Sequence, residues 1–151
     1  MKKFMDMAIE EAYIGIKNDE GGPFGTIIVK NGIVISKGHN QVLKLQDATC
    51  HGEIQAIRNA SKSLKTYDLS GCELYSTAEP CPMCLGAILW SNISKVYYGC
   101  DILDTEMIGF RDNLFYNLNE DIKKSLMQQL ERDKCLRLYD DYLKQNKKNA
   151  Y

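Results

Sequence analysis

The sequence predicts an α/β fold, a sandwich on a central mixed sheet. Three observations predict it. Two β-branched runs, residues 24–30 and 33–37, flank Asn31-Gly32, so the sheet opens with an antiparallel hairpin. From residue 51 onward helical and strand patterns alternate, which implies parallel crossovers. The chain has 151 residues, one domain's worth, and no linker, repeat or low-complexity run divides it. A single domain over residues 1–151 is expected.

The elements follow in order. Residues 3–18 carry Phe4, Met7, Ala8, Ala12 and Ile16 at helical spacing, and Asn18-Asp19-Glu20-Gly21-Gly22-Pro23 stops that helix. The hairpin comes next. Residues 51–64 read as a helix with Ile54, Ile57 and Leu64 on one side. Residues 73–77 read as a short strand, and residues 82–90 as a helix opened by Pro82, a favoured first position. Residues 95–99 form a further strand. Residues 101–118 show no period and read as a functional loop containing Gly109, Phe110, Asp112, Phe115 and Tyr116. Residues 120–131 and 138–147 look helical.

Charge and composition exclude several classes. Lys and Arg number 19 against 20 Asp and Glu, a formal charge of −1, which argues against a generally basic nucleic-acid binder. With 44% hydrophobic residues the chain is not a highly charged disordered one. No apolar run approaches the ~20 residues of a membrane span. The start, Met1-Lys2-Lys3-Phe4-Met5-Asp6, lacks a signal-peptide core, so a soluble, cytoplasmic protein is expected. Of the six cysteines, at 50, 72, 81, 84, 100 and 135, only Cys81 and Cys84 are spaced as a metal pair. The other four read as buried small apolar residues.

Two clusters carry chemistry. Cys50-His51-Gly52-Glu53 and Pro80-Cys81-Pro82-Met83-Cys84 each start a helix after a loop. Together they offer two thiolates and one imidazole, a three-ligand Zn²⁺ site with an open fourth position. A water bound there is acidified toward a pKa of about 7. Helix N-termini help to hold Cys81 and Cys84 as thiolates. Glu53, two residues beyond His51, is placed to take and deliver that water's proton. Cys50, Cys72 and Cys100 remain candidates for a fourth ligand that would make the site closed and structural. A redox Cys-x-x-Cys pair is another reading, but it has no need of His51-x-Glu53. His39 has no adjoining cysteine pair and reads as a packed or surface histidine.

The pattern His51-x-Glu53 followed by Pro80-Cys81-x-x-Cys84 is the signature of zinc-dependent nucleobase deaminases. The chain resembles the cytidine/deoxycytidylate deaminase superfamily. The likeness extends to Gly22-Pro23-Phe24-Gly25, Gly38-His39-Asn40 and Glu79 through Ile88, and coverage runs from about residue 4 to the C-terminus. It implies a three-layer α/β/α cytidine-deaminase-like fold. The stretch Cys81–Trp90, the acid-bearing loop Asp104–Tyr116 and the terminal Tyr151 are similar to the guanine deaminase branch. The charge balance, which lacks the surplus of cations that tRNA binding favours, points the same way. The resemblance therefore implies conversion of guanine to xanthine and ammonia. The nearest alternatives are a tRNA adenosine deaminase, a deaminase of another free base such as cytosine, and a zinc-stabilised binding module without catalysis.

Further roles follow from the resemblance. His51, Cys81 and Cys84 hold Zn²⁺, and Glu53 is the catalytic proton carrier. Guanine's N1–H and 2-amino group are donors, and an acceptor-only carboxylate complements them. The resemblance gives that place to Asp112, with Asp101, Asp104 and Glu106 as competitors under the same donor–acceptor logic. Asn40 pairs with the ring, Phe24 stacks on it and Trp90 walls the pocket. Tyr151 covers a partner's site, so the chain is expected to form a homodimer that exchanges residues 138–151. The sequence departs from the pattern in three places. Gly52 stands where Ala is usual, with little effect expected. Arg111 precedes Asp112, and residues 117–137 match poorly and read as a helical variant.

Overall fold

A computed structural model provides the structure and describes residues 1–145. The chain divides into two compact units, Met1–Tyr116 and Asn117–Tyr151.

The first unit opens with α1 (Lys2–Lys17), which buries Phe4, Ala8, Ala12 and Gly15 along one side. This stripe runs through Gly15 rather than through Ile16, which is 37% exposed. β1 (Gly25–Lys30) and β2 (Ile33–His39) form the expected hairpin. Asn31 and Gly32 sit at φ 51° and 76°, so both turn residues have the positive φ that matches the twist of the strands. After β2 come a short helix α2 (Val42–Leu45), absent from the sequence reading, and α3 (Gly52–Leu64). β3 (Cys72–Ala78), α4 (Pro82–Trp90) and β4 (Lys95–Cys100) complete the expected alternation.

The sheet runs β2-β1-β3-β4. β1 is antiparallel to both β2 and β3, and β3 is parallel to β4, so the sheet is mixed. Side chains alternate across it. Ile27, Val29 and Tyr75 face α1 and pack with Phe4 and Ala8. Ile28, Cys72 and Leu74 face the other way, onto Ala56 and Ala60 of α3 and Ile88 of α4. Each large aliphatic side chain so buried contributes about 1.5–3 kcal/mol. The three layers are therefore α1, the sheet, and α3 with α4.

Residues 101–118 are not an irregular loop. They hold α5 (Ile102–Met107) and α6 (Asp112–Tyr116). Asp101 caps α5, accepting from the Leu103 and Asp104 N–H groups, and Asp104 accepts in return from the Asp101 N–H.

The second unit contains α7 (Glu120–Leu126), capped by Asn119, and α8 (Arg132–Leu143). The helix expected over 120–131 thus stops at Leu126, where Met127 turns extended. The one expected over 138–147 starts earlier, at Arg132, and ends at Leu143. Cys50 and Cys72 are buried as expected, but Cys100 and Cys135 are exposed, one ending the edge strand β4 and the other on α8. Among the described residues no helix is long and apolar enough to cross a membrane.

Candidate active site

Because β1 runs against its neighbours, its start lies beside the ends of β2 and β3. Phe24, Asn40 and Ala78 therefore meet at one end of the sheet. The N-termini of α3 and α4 open at the same end. A cavity of about 710 Å³ forms there, lined by residues that include Phe24, Asn40, His51, Glu53, Cys81 and Asp112.

His51 and Cys81 are the N-cap residues of α3 and α4, both in extended conformation, with Pro82 at the first position of α4. Cys84 lies one turn into α4 and is fully buried. Sγ of Cys81 and Sγ of Cys84 each stand 3.6 Å from His51 Nδ1. A tetrahedral ion with zinc–sulfur and zinc–nitrogen bonds of ordinary length separates S and N by about 3.6 Å. The donor set and its spacing fit zinc. Among the described residues this trio is the one group of His, Cys, Asp or Glu side chains gathered closely enough to hold a metal. None of the fourth-ligand candidates joins this group: Cys50 accepts from Arg58, Cys72 is in the core and Cys100 is exposed at the end of β4.

The electrostatics follow from proximity. Hydrogen bonds from Cys84 and His51 hold the Cys81 thiol down at about 4. The same contact with Cys81 pushes the Cys84 thiol up. The Cys81 thiolate holds His51 above its ordinary value. Glu53, 5% exposed in the first turn of α3, is pushed up by burial and then by the Cys81 charge. Asp112 is raised by the same two causes.

Asn40 is buried, with its N–H on the Phe24 carbonyl and its Oδ1 accepting from the Val42 N–H. Phe24 meets Phe110 edge-on, ring centroids 4.7 Å apart. Of the four candidate carboxylates Asp112 alone lines the cavity. Asp101 and Asp104 cap α5, and Glu106 accepts from Asn113. Trp90 is not brought to the cavity. It ends α4, eight residues and about 12 Å of helix from Pro82, and is 65% exposed. Tyr151 lies outside the described residues.

The structure adds lining residues that the sequence reading left unassigned. Phe110, Phe115, Arg111 and Glu79 face the cavity, and Glu79 Oε2 accepts from the Ile102 N–H at the start of α5. The Gly109-Phe110 pair beside Asp112 was the available signal. Gly52 also proves less interchangeable with Ala than expected. A Cβ there would lie 2.9 Å from the Phe24 carbonyl oxygen and 3.2 Å from Thr26 Oγ1, so backbone would have to shift.

The chain is similar to several known proteins. Guanine deaminase of Bacillus subtilis (strain 168) is 44% identical over 113 residues, 75% of this chain and 72% of that protein. A crystal structure of Bacillus subtilis guanine deaminase superposes with a TM-score of 0.84 at 33% identity, covering 99% of this chain and 98% of that one. The tRNA-specific adenosine deaminase of Buchnera aphidicola subsp. Schizaphis graminum (strain Sg) is 33% identical over 141 residues, 93% of this chain and 92% of its own. A profile described as the cytidine and deoxycytidylate deaminase zinc-binding region matches residues 1–100. With that match over two thirds of its length, and with His51, Cys81 and Cys84 gathered at one cavity, this chain belongs to the cytidine and deoxycytidylate deaminase family.

Proposed function

We propose that the protein hydrolyses guanine to xanthine and ammonia. The observation that carries this reading is Asp112, the one candidate carboxylate on the same cavity as Glu53, His51 and Cys81. A carboxylate accepts from both the N1–H and the 2-amino group of guanine, and those bonds favour its charged form. Asn40, with Oδ1 taken by the Val42 N–H, offers its amide N–H groups to a ring acceptor. Phe24 provides a face for the ring.

His51, Cys81 and Cys84 would hold zinc, which supplies an acidified water at neutral pH when bound. Glu53 accepts the proton of the water that adds to C2, the carbon bearing the amino group. It delivers that proton to the adjacent ring nitrogen, then takes the remaining proton of the hydroxyl now on C2, which becomes a carbonyl, and gives it to the departing amino group. Xanthine and ammonia leave, so one water is consumed and Glu53 returns to its starting state. Burial, which raises its carboxyl, suits Glu53 to both accepting and giving the proton.

The Buchnera relative favours a second reading, deamination of an adenosine in tRNA. Against it, of the residues lining the cavity one is a cation, Arg111, and three are acids, Glu53, Glu79 and Asp112. A phosphate backbone asks for the opposite balance. The reading extends to a homodimer in which the C-terminal arm covers the partner's cavity. α8 supports this extension, with Leu136, Tyr139 and Leu143 along one side and none of them buried.

Ammonia release by the zinc-loaded protein, with guanine against adenine, cytosine and a tRNA anticodon stem-loop, tests the proposal. Turnover of guanine is expected, from a species of two chains on gel filtration. Turnover of the stem-loop alone would overturn the substrate, and inertness toward every aminated base would overturn the enzyme.

A further inference from the structure

His39 ends β2, one residue before Asn40, and 12% of its side chain is exposed. Its Nδ1 stands 2.8 Å from Glu11 Oε1 on α1, and its Nε2 stands 2.6 Å from Glu20 Oε2 in the loop that follows. Ionised carboxylate oxygens only accept. Both ring nitrogens must then donate, and an imidazole with two N–H groups is the imidazolium cation.

The surroundings are shaped for this ring. A Cβ at Gly15 would come within 2.8 Å of His39 Cδ2, so α1 can lie this close only with glycine there. Glu20 in turn grips the segment after Asn40. Its carboxylate accepts from Gln41 Nε2 and Lys44 Nζ, each at 2.7 Å. Its backbone oxygen accepts from the Leu43 and Lys44 N–H groups. Asn40, Val42 and Leu43, enclosed by these bonds, line the cavity.

We propose that His39 is a positioning residue: as imidazolium it ties Glu11 and Glu20 together and so holds Asn40 and α2 in place for substrate, and substrate affinity falls when it loses its proton. The proposal rests on the assignment of Asn40 to substrate binding made above.

The charged groups around the ring are Glu11 from α1, Glu20 from the loop and Lys44 from α2, which reaches it through Glu20. Burial works against the cation, but the hydrogen bonds to Glu20 and Glu11 outweigh burial and place His39 above its usual 6.5. Hydrogen bonds from Lys44, Gln41 and His39 hold Glu20 at about 2, so it stays ionised at neutral and alkaline pH. A raised histidine contributes fully below its ordinary value and loses that contribution as pH rises through its folded value. The alkaline side is therefore where the clamp opens.

The test compares KM for guanine in the wild type and in His39→Gln, both zinc-loaded and full length, from about pH 6 to about pH 9. Glutamine keeps a donor and an acceptor but does not titrate. Substrate ionisation and Glu53 are common to both proteins. Wild-type KM is expected to rise about tenfold relative to the variant across the alkaline range, with kcat profiles alike. Superimposable KM profiles would overturn the proposal.

A second readout needs no turnover. The chain has two histidines, so nitrogen NMR resolves them and the variant assigns them. Both His39 nitrogens are expected to be protonated at neutral pH, and the Asn40 amide signals to move with the His39 midpoint only in the wild type. A neutral imidazole, or an Asn40 signal indifferent to it, would overturn the clamp. Lack of guanine turnover would overturn the proposed function instead, leaving the NMR result to decide the clamp.

Discussion

Glu53 is a carboxyl group with almost no water around it, and its role can be isolated. It is absent from the metal-ligand trio, yet it borders the same cavity. Glu53→Ala should keep zinc and fold while losing guanine turnover by about 10²–10⁴-fold or more, the usual contribution of a positioned acid–base group. Glu53→Gln, which preserves volume, should lose as much. Retention of substantial turnover in either variant would refute the proton-carrier role, and loss of zinc would make Glu53 part of the metal site. The gathering of this residue with His51, Cys81 and Cys84 was legible in the sequence because their spacing is local, within one helix start each. Asp112 was legible only through the resemblance. His39 was not, because Glu11 and Glu20 lie 28 and 19 residues away and nothing local marks them as its partners.

At the scale of elements, α6 carries Asp112 but is only five residues long. A helix that short has no stability of its own in water. Its orientation must come from tertiary contacts, and two are visible beside it. Phe110 packs on Phe24, and the Tyr116 hydroxyl donates to the Pro80 carbonyl, 2.5 Å away, immediately before Cys81. Tyr116→Phe keeps the ring and removes the bond. KM for guanine should then rise about fivefold, the value of about one ordinary hydrogen bond, with kcat and zinc content little changed. In an Asp112→Asn background the same change should add nothing, because the bond acts through Asp112. Additive losses would refute that link. The reason residues 101–118 read as a loop is now physical. α5 and α6 are too short to show a period, and aromatic packing leaves no local pattern. The pair Asp101 and Asp104 was a readable cap signal for α5. In α2 only the Val42 N–H finds a nearby side chain, Asn40, while Glu20, more than twenty residues earlier, satisfies those of Leu43 and Lys44. The hairpin and α4 were legible because Asn31-Gly32 and Pro82 specify backbone conformation locally.

For the whole molecule, the trio of His51, Cys81 and Cys84 brings two helix starts together. His51 begins α3 and Cys81 begins α4, and both helices pack on the same face of the sheet. A metal bound to the folded chain and not to the unfolded one adds stability by mass action, about 2.7 kcal/mol at a hundredfold excess over Kd. Stripping zinc with a chelator should therefore lower Tm by roughly 10 °C at neutral pH. The sign of the pH dependence is set by the protons that the metal displaces. His51 sits above its ordinary value because of Cys81, and Cys84 is pushed up by the same neighbour, so in the metal-free protein both hold their protons more tightly than free side chains do. Binding must release them, and acid opposes release. The gap in Tm between loaded and stripped protein should accordingly shrink as pH falls from about 8 to about 5.5. A gap that stayed constant over that range would mean that the metal is not held by His51 and the two thiolates. Equal melting with and without zinc would mean that the trio holds no metal that matters to the fold.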